Sequence, residues 1–116
     1  MSEAHKSKYG SLRYNSGKPE FSQLDPAFIL ELAALMTKSA EKYEKWNWAK
    51  AQEYCTPLDS MFRHLVAFAQ GEDIDPESGH PHMQHIAANA MIIERSRKKN
   101  DPDLDNRCPL FKKEKK

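Results

Sequence analysis

The sequence predicts an all-α fold: a small antiparallel helical bundle with an extended N-terminal arm and a polar C-terminal tail. Three observations predict it. Apolar residues recur at spacings of three and four in three separate stretches, which is the period of an amphipathic helix. Two of those stretches open on Asp-Pro or Thr-Pro, a capping side chain followed by the residue that suits the first helical position. No useful length of strand-like alternation and no internal repeat stands between them.

The arm, residues 1–24, is polar and rich in Ser, Gly and Lys, with turn signals at Asn15-Ser-Gly17 and Pro19. The first helix starts at Asp25-Pro26. Its stripe is Phe28, Ile29, Leu32, Leu35, Met36 and Ala40, and it runs to Tyr43 or Lys45. Trp46-Asn47-Trp48 and the residues up to Thr56 form a junction. Thr56-Pro57 then reads as a second start, with Thr56 as N-cap and Asp59 meeting the helix dipole. Leu58, Met61, Phe62, Leu65, Val66, Phe68 and Ala69 make the second stripe, and Gly71 stops it. Residues 71–81 read as a loop. A third helix opens near Pro81 or His82, carries Met83, Ile86, Ala87, Ala90, Ile92 and Ile93 on its buried side, and frays into Arg95–Asn100. The helical domain therefore spans 25–99. The stretch 100–116, with two prolines and many charges, is expected to be a poorly ordered polar tail.

A chain of 116 residues is one domain by length. With 39% hydrophobic and 30% charged residues and a mean hydropathy of -0.84, it predicts a thin core, which favours a homo-oligomer, a dimer or larger. The formal charge is +1. That argues against a dedicated nucleic-acid binder, although Arg95–Lys99 and Lys112–Lys116 are locally basic. Cys55 and Cys108 form no CxxC pair and read as reduced thiols. Met1-Ser-Glu-Ala-His5 lacks the apolar run of a signal peptide, and no stretch approaches the ~20 apolar residues that span a bilayer. The expectation is a cytoplasmic protein with no membrane contact.

The segment from His64 to Asn89 carries the strongest chemistry. Four of the five histidines, His64, His80, His82 and His85, fall within 22 positions beside Glu72, Asp73, Asp75 and Glu77. His82, His85 and Asn89 share one helical face, and an antiparallel hairpin brings His64 opposite His85 or Asn89. Imidazoles mixed with carboxylates suit a divalent metal: carboxylate oxygens favour magnesium or manganese, and several imidazoles tilt the choice toward zinc, manganese or iron. The plainer reading is a hydrophilic turn whose Asp and Ser side chains cap the next helix. In the arm, Arg13, Tyr14 and Lys18 set cations beside an aromatic, a combination that holds a phosphate and stacks a base; a solvated arm reads equally well. Near the junction, Lys42 and Asn47 are within reach of a phosphate or sugar. Trp46 and Trp48 read first as packing or dimer-contact residues, with Trp48 carried beside Asn47 as a substrate-holding candidate.

Leu12–Pro19, Ala40–Tyr43 with Asn47-Trp48, and the long run Arg63–Asn89 together resemble a phage and prophage family of dATP/dGTP diphosphohydrolase-like proteins, related to the all-α MazG-like nucleotide pyrophosphohydrolases. The resemblance covers most of residues 12–95. It implies a helical bundle that dimerises and cleaves a nucleoside triphosphate to monophosphate and pyrophosphate with magnesium. It also implies site roles for His64, Glu72, Asp73, His82, His85 and Asn89, with Arg13, Lys18 and Lys42 on the phosphates. MazG-like enzymes hold magnesium with an ExxE pair on one helix and an ExxD pair on the next. Here Glu41 and Glu44 make one such pair, the helix of His64 offers only Asp59, and the third helix offers His82, His85 and Asn89.

The leading expectation is thus a pyrophosphohydrolase acting on a purine (deoxy)nucleoside triphosphate. A Mg2+ or Mn2+ ion would be held by Glu72, Asp73, His82 and His85, with His64 or Glu41 orienting the attacking water. Arg13, Tyr14, Lys18, Lys42, Asn47, Trp48 and Asn89 would hold the nucleotide. The rival is a non-catalytic nucleotide-binding phage protein that sequesters a host signalling nucleotide, which the missing carboxylate quartet favours. A nucleic-acid accessory role through Arg95–Lys99 and the tail comes third.

Overall fold

The computed structural model describes residues 4–14 and 16–114; the expectations on Met1–Glu3, Asn15 and Lys115–Lys116 lie outside the described residues. Three helices dominate. The first, α1, is Pro26–Lys42, with Asp25 as N-cap and Pro26 at its start. The Asp25 Oδ1 accepts the Ala27 N–H at 3.0 Å, a cap that contributes about 1 kcal/mol.

The second helix, α2, is Cys55–Ala69. It begins before the expected Thr56 cap because the free N–H groups of its first turn find partners in distant sequence. The Tyr54 N–H donates to the Leu104 carbonyl at 2.9 Å, and the Cys55 N–H donates to Asn106 Oδ1 at 2.9 Å. Its other end closes as the sequence expects. Gly71 takes φ +95, its N–H donates to the Phe68 carbonyl, and the Glu72 N–H donates to that of Ala67. These paired bonds make a Schellman motif, and they fix where Glu72 leaves the helix.

The third helix, α3, is His82–Arg97. It runs antiparallel to α2: as α2 advances from Gln52, just before its start, through Ser60 to His64, the partners on α3 step back from Ser96 through Asn89 to His82. α3 also packs against α1, where the Gln84 amide donates to Glu31 Oε2 at 3.1 Å and the Phe28 carbonyl at 3.4 Å. The helix in the middle is therefore the last in sequence.

Among the described residues, Leu35, Pro57 and Ala88 are the buried apolar side chains, while His82, Gln84 and Ser96 are buried polar ones. Phe62, Leu65 and Val66 on α2, and Ile29 and Leu30 on α1, stand exposed. The radius of gyration is 18.8 Å, against about 13 Å for a compact chain of this length. The thin core expected from composition is present, and it is thinner than the apolar stripes alone suggest.

Two expectations are corrected. The arm is not free of strand: β1 (Ala4–Lys6) and β2 (Leu12–Tyr14) pair antiparallel, His5 opposite Arg13. The tight turn between them is closed by the Ser7 N–H on the Ser11 carbonyl and the Gly10 N–H on the Ser7 carbonyl. Three-residue strands are too short to show alternation. The tail is not loose over 100–114 either. Asp101 caps a 3₁₀ turn at Pro102–Leu104, Asp105 binds both Arg107 and Lys112, and Leu104 and Asn106 cap α2. Among the described residues, no helix is long and apolar enough to cross a membrane.

Candidate functional site

The α2–α3 hairpin brings His64 and His85 together, as their helical positions require. Their rings stack in parallel, 4.2 Å between centroids and 4° between planes. The connecting loop supplies the third member. Its two ends are tied by an isolated bridge between Ile74 and Pro81, by the His82 N–H on the Asp73 carbonyl and by the Asp75 N–H on the His80 carbonyl. Inside that tie the chain turns tightly. The Gly79 N–H donates to the Asp75 carbonyl, the Glu77 N–H donates to Asp75 Oδ1, and Gly79 adopts φ +75, a conformation natural to glycine. The turn aims Asp75 inward. One ligand atom each from His64, Asp75 and His85 lies within 4.8 Å of the other two.

Two further contacts hold this trio. Ser78 Oγ donates to Asp75 Oδ2 at 2.9 Å and sits 2.6 Å from His85 Nε2; Asp75 Oδ2 is 3.5 Å from the same nitrogen. The hydroxyl proton goes to the carboxylate, so His85 Nε2–H donates to the hydroxyl oxygen. Ser78, His85 and Asp75 are not a serine-hydrolase triad, because serine and acid meet at one ring nitrogen instead of flanking the ring. Behind His64 runs a second chain: Glu72 Oε1 to His82 Nε2 at 2.7 Å, and His82 Nδ1 to His64 Nδ1 at 2.8 Å. The carboxylate accepts, so His82 carries its proton on Nε2, and its Nδ1 accepts from His64. His64 is then protonated at Nδ1 and keeps a free lone pair on Nε2.

Burial lowers the His64 pKa below the ordinary imidazole value; the Asp75 carboxylate opposes this, and the neighbouring His82 and Arg63 add to it. Burial likewise lowers that of His85, helped by His64 and opposed by Asp75. For Asp75, burial works against ionisation, but the Ser78 hydroxyl, the Glu77 N–H and the two imidazoles outweigh it, so its pKa lies below the usual carboxylate value. The trio is therefore a carboxylate with two neutral imidazoles near neutral pH.

The site opens into a cleft of about 1550 Å³. Glu41, Lys42, Asn47 and Trp48 line it together with His64, Glu72, His82, His85 and Asn89. Trp46, at φ +66, turns the chain so that Asn47 and Trp48 face this space; a bulky residue in that region carries about 1–3 kcal/mol of strain. Among the other expected residues, Asp73 contributes its backbone carbonyl while its side chain is exposed. The Asn89 amide is used within the hairpin, donating to Ser60 Oγ and the His85 carbonyl. Arg13, Tyr14 and Lys18 are exposed and are not among the cleft-lining residues of this single chain. Sequence reasoning did not single out Asp75 or Ser78. The legible signal was Asp75-Pro-Glu-Ser-Gly79, an Asp whose side chain caps its own turn.

Fold and site together define a class: a small, mainly helical protein whose cleft sets imidazoles and carboxylates against a lysine and a tryptophan. The chain belongs to the family described as dATP/dGTP diphosphohydrolase, N-terminal, whose model matches residues 8–107. It is also similar to a Salmonella phage PMBT28 protein named dATP/dGTP diphosphohydrolase, 30% identical over 82 residues. That match covers 71% of this chain and 28% of the relative, so the chain spans less than a third of the relative's length. No solved structure matches the chain.

Proposed function

We propose that the chain takes part in hydrolysis of a purine (deoxy)nucleoside triphosphate to monophosphate and pyrophosphate, in a phage-infected host's cytoplasm. The relative's name and phage source support the substrate class and setting. The observation that carries the reading is the cleft itself, where His64 and Asp75 share one open space with Lys42, Asn47 and Trp48. Its volume exceeds the 300–1,000 Å³ of an ordinary small-molecule pocket, leaving room for a nucleotide and water. Trp48 would stack the base and Asn47 would bond the sugar or base, while Lys42 would neutralise phosphate charge. His64 Nε2, a free lone pair on an imidazole titrating below its ordinary value, would take the proton of the attacking water. Glu41, on the same cleft, is the other candidate base.

The MazG-like magnesium arrangement does not fit these residues. Glu44 is paired with Lys50, and neither α2 nor α3 carries a second carboxylate pair to face Glu41. A divalent ion, when bound, would supply phosphate charge neutralisation and an activated water; manganese is compatible with the donors present. The missing quartet also favours a second reading, nucleotide binding without turnover.

A homo-oligomer belongs to this proposal. The accessible surface is 9817 Å², against about 6,500 Å² for a compact monomer of this mass. The excess is several times the roughly 800 Å² each partner buries in a standard interface. Association is also the route by which Arg13, Tyr14 and Lys18 would meet a nucleotide, carried on the arm of a neighbouring copy.

The test is pyrophosphate release from a panel of deoxynucleoside triphosphates with magnesium, manganese or neither. Turnover that disappears in His64→Ala while nucleotide binding persists supports the hydrolase. Tight nucleotide retention with no turnover under any ion leaves the binding reading.

A further inference from the structure

The donors of the central trio are nitrogen-rich, which is a statement about which ion they hold. Two imidazoles and one carboxylate, with an open side toward the cleft, form the set that borderline transition ions take up with positions left for water or substrate. Magnesium requires near-octahedral oxygen donors and keeps most of its waters. We infer that His64, Asp75 and His85 form a binding site for a divalent transition ion of the zinc, manganese, cobalt or iron class, selective against magnesium.

Three observations carry the assignment. The ligand atoms gather within 4.8 Å; ligand bonds of about 2.0–2.2 Å place neighbouring donors roughly 3–4 Å apart, so modest closure suffices. Binding turns the two rings out of their parallel stack, since each lone pair must point at the ion. His64 Nε2 is a free lone pair, fixed as such by the chain through His82 to Glu72. That chain is the arrangement by which a carboxylate orients a ligating imidazole, and His82 is 3% exposed, so it serves no surface role. Ser78, bonded to both Asp75 and His85, orients the other two side chains, and by accepting the His85 Nε2–H it leaves the Nδ1 lone pair of that ring for the ion. Glu72 and His82 are thus positioning residues, and the exposed Asp73 side chain stands outside the trio.

The inference deepens the reading of the cleft as a hydrolytic site: an ion on His64 Nε2 occupies the lone pair that would otherwise take the water's proton, which leaves Glu41, on the same cleft, as the base. It is tested without turnover. The full chain is stripped with chelator and titrated with Co2+, Zn2+, Mn2+ and Mg2+ by calorimetry, with the cobalt visible spectrum followed in parallel. One ion per chain should bind, with cobalt and zinc at least 100-fold tighter than magnesium. Asp75→Asn and His85→Gln should each weaken binding more than 10-fold with unchanged circular dichroism; His5→Ala, on β1, should leave it intact. Glu72→Gln should weaken binding about 10–100-fold and shift the cobalt band, a change that loss of packing alone would not produce. X-ray absorption on the zinc-loaded wild type should count two imidazoles, which keeps the test decisive if a variant fails to fold. Magnesium binding as tight as cobalt, no ion bound, or affinity unchanged in both Asp75→Asn and His85→Gln would overturn the site. Ion binding without pyrophosphate release sinks the hydrolase and leaves this site standing; release with magnesium alone and no transition-ion binding does the reverse.

Discussion

α2 and α3 are partners in one hairpin, yet they use the interior in opposite ways. α3 buries His82, Gln84 and Ser96, while α2 holds Phe62, Leu65 and Val66 exposed. The helix with the strong apolar stripe faces outward, and the helix that fills the centre is held by hydrogen bonds. The lesson is that two different forces serve two different purposes here. Polar contacts fix the register of the hairpin and hence the site. The apolar faces, whose burial would be worth about 25 cal/mol per Å², stay exposed on the single chain.

The largest expected effect comes from attacking the apolar side. Wild type should elute well above 13.4 kDa in size-exclusion chromatography with light scattering. The double variant Ile29→Glu/Leu65→Glu should weaken association by about 100-fold or more, because an unpaired charge cannot be buried cheaply. A wild type that runs as a monomer at every concentration would break the comparison. Next in size is a contrast within α1. Leu35→Ala, at a position 7% exposed, should cost about 2–3 kcal/mol in chemical denaturation. Leu30→Ala, at 72% exposed, should cost little within the chain, and any larger loss should vary with protein concentration.

The polar side gives smaller signals. The lowered pKa values of His64 and His85 mean that the unfolded chain binds protons the native state refuses. Stability of the metal-free protein should therefore be full above the ordinary imidazole value of 6.5 and fall as pH drops below it, levelling off once the folded state protonates too. Melting temperatures at pH 7.5 and 5.5 in chelator read this directly, and His64→Gln/His85→Gln should flatten the difference. Smallest is Gln84→Met. The change removes two hydrogen bonds but also the buried Gln84 Oε1, which has no partner. The two effects oppose, and the net change should stay within about 1 kcal/mol.

What could be read in the sequence was what local physics decides. Asp25-Pro26 and Gly71 behave as caps because their partners lie within a few residues. His64 and His85 meet because helical period and antiparallel pairing leave them little choice. The start of α2 was displaced from Thr56 because Leu104 and Asn106 supply its caps from the far side of the chain, and no local pattern announces that. The choice between Asp73 and Asp75 depended on backbone bonds inside one turn: both are loop acids, and only the tie between Asp75 and His80 decides which faces in. The three-residue strands were invisible because alternation needs more residues than they contain.

The tie between the two ends of the 71–81 loop bears on how the molecule is made as well as on what it does. Every donor of the trio, with Ser78, Glu72 and His82 behind it, comes from the 22 positions between His64 and His85. Loops this short cost little entropy to close, and contacts between near neighbours in sequence form fast. The trio and the side chains that hold it can therefore assemble within a single nascent hairpin, ahead of the docking of α1, which brings Glu41 and Lys42 to the cleft.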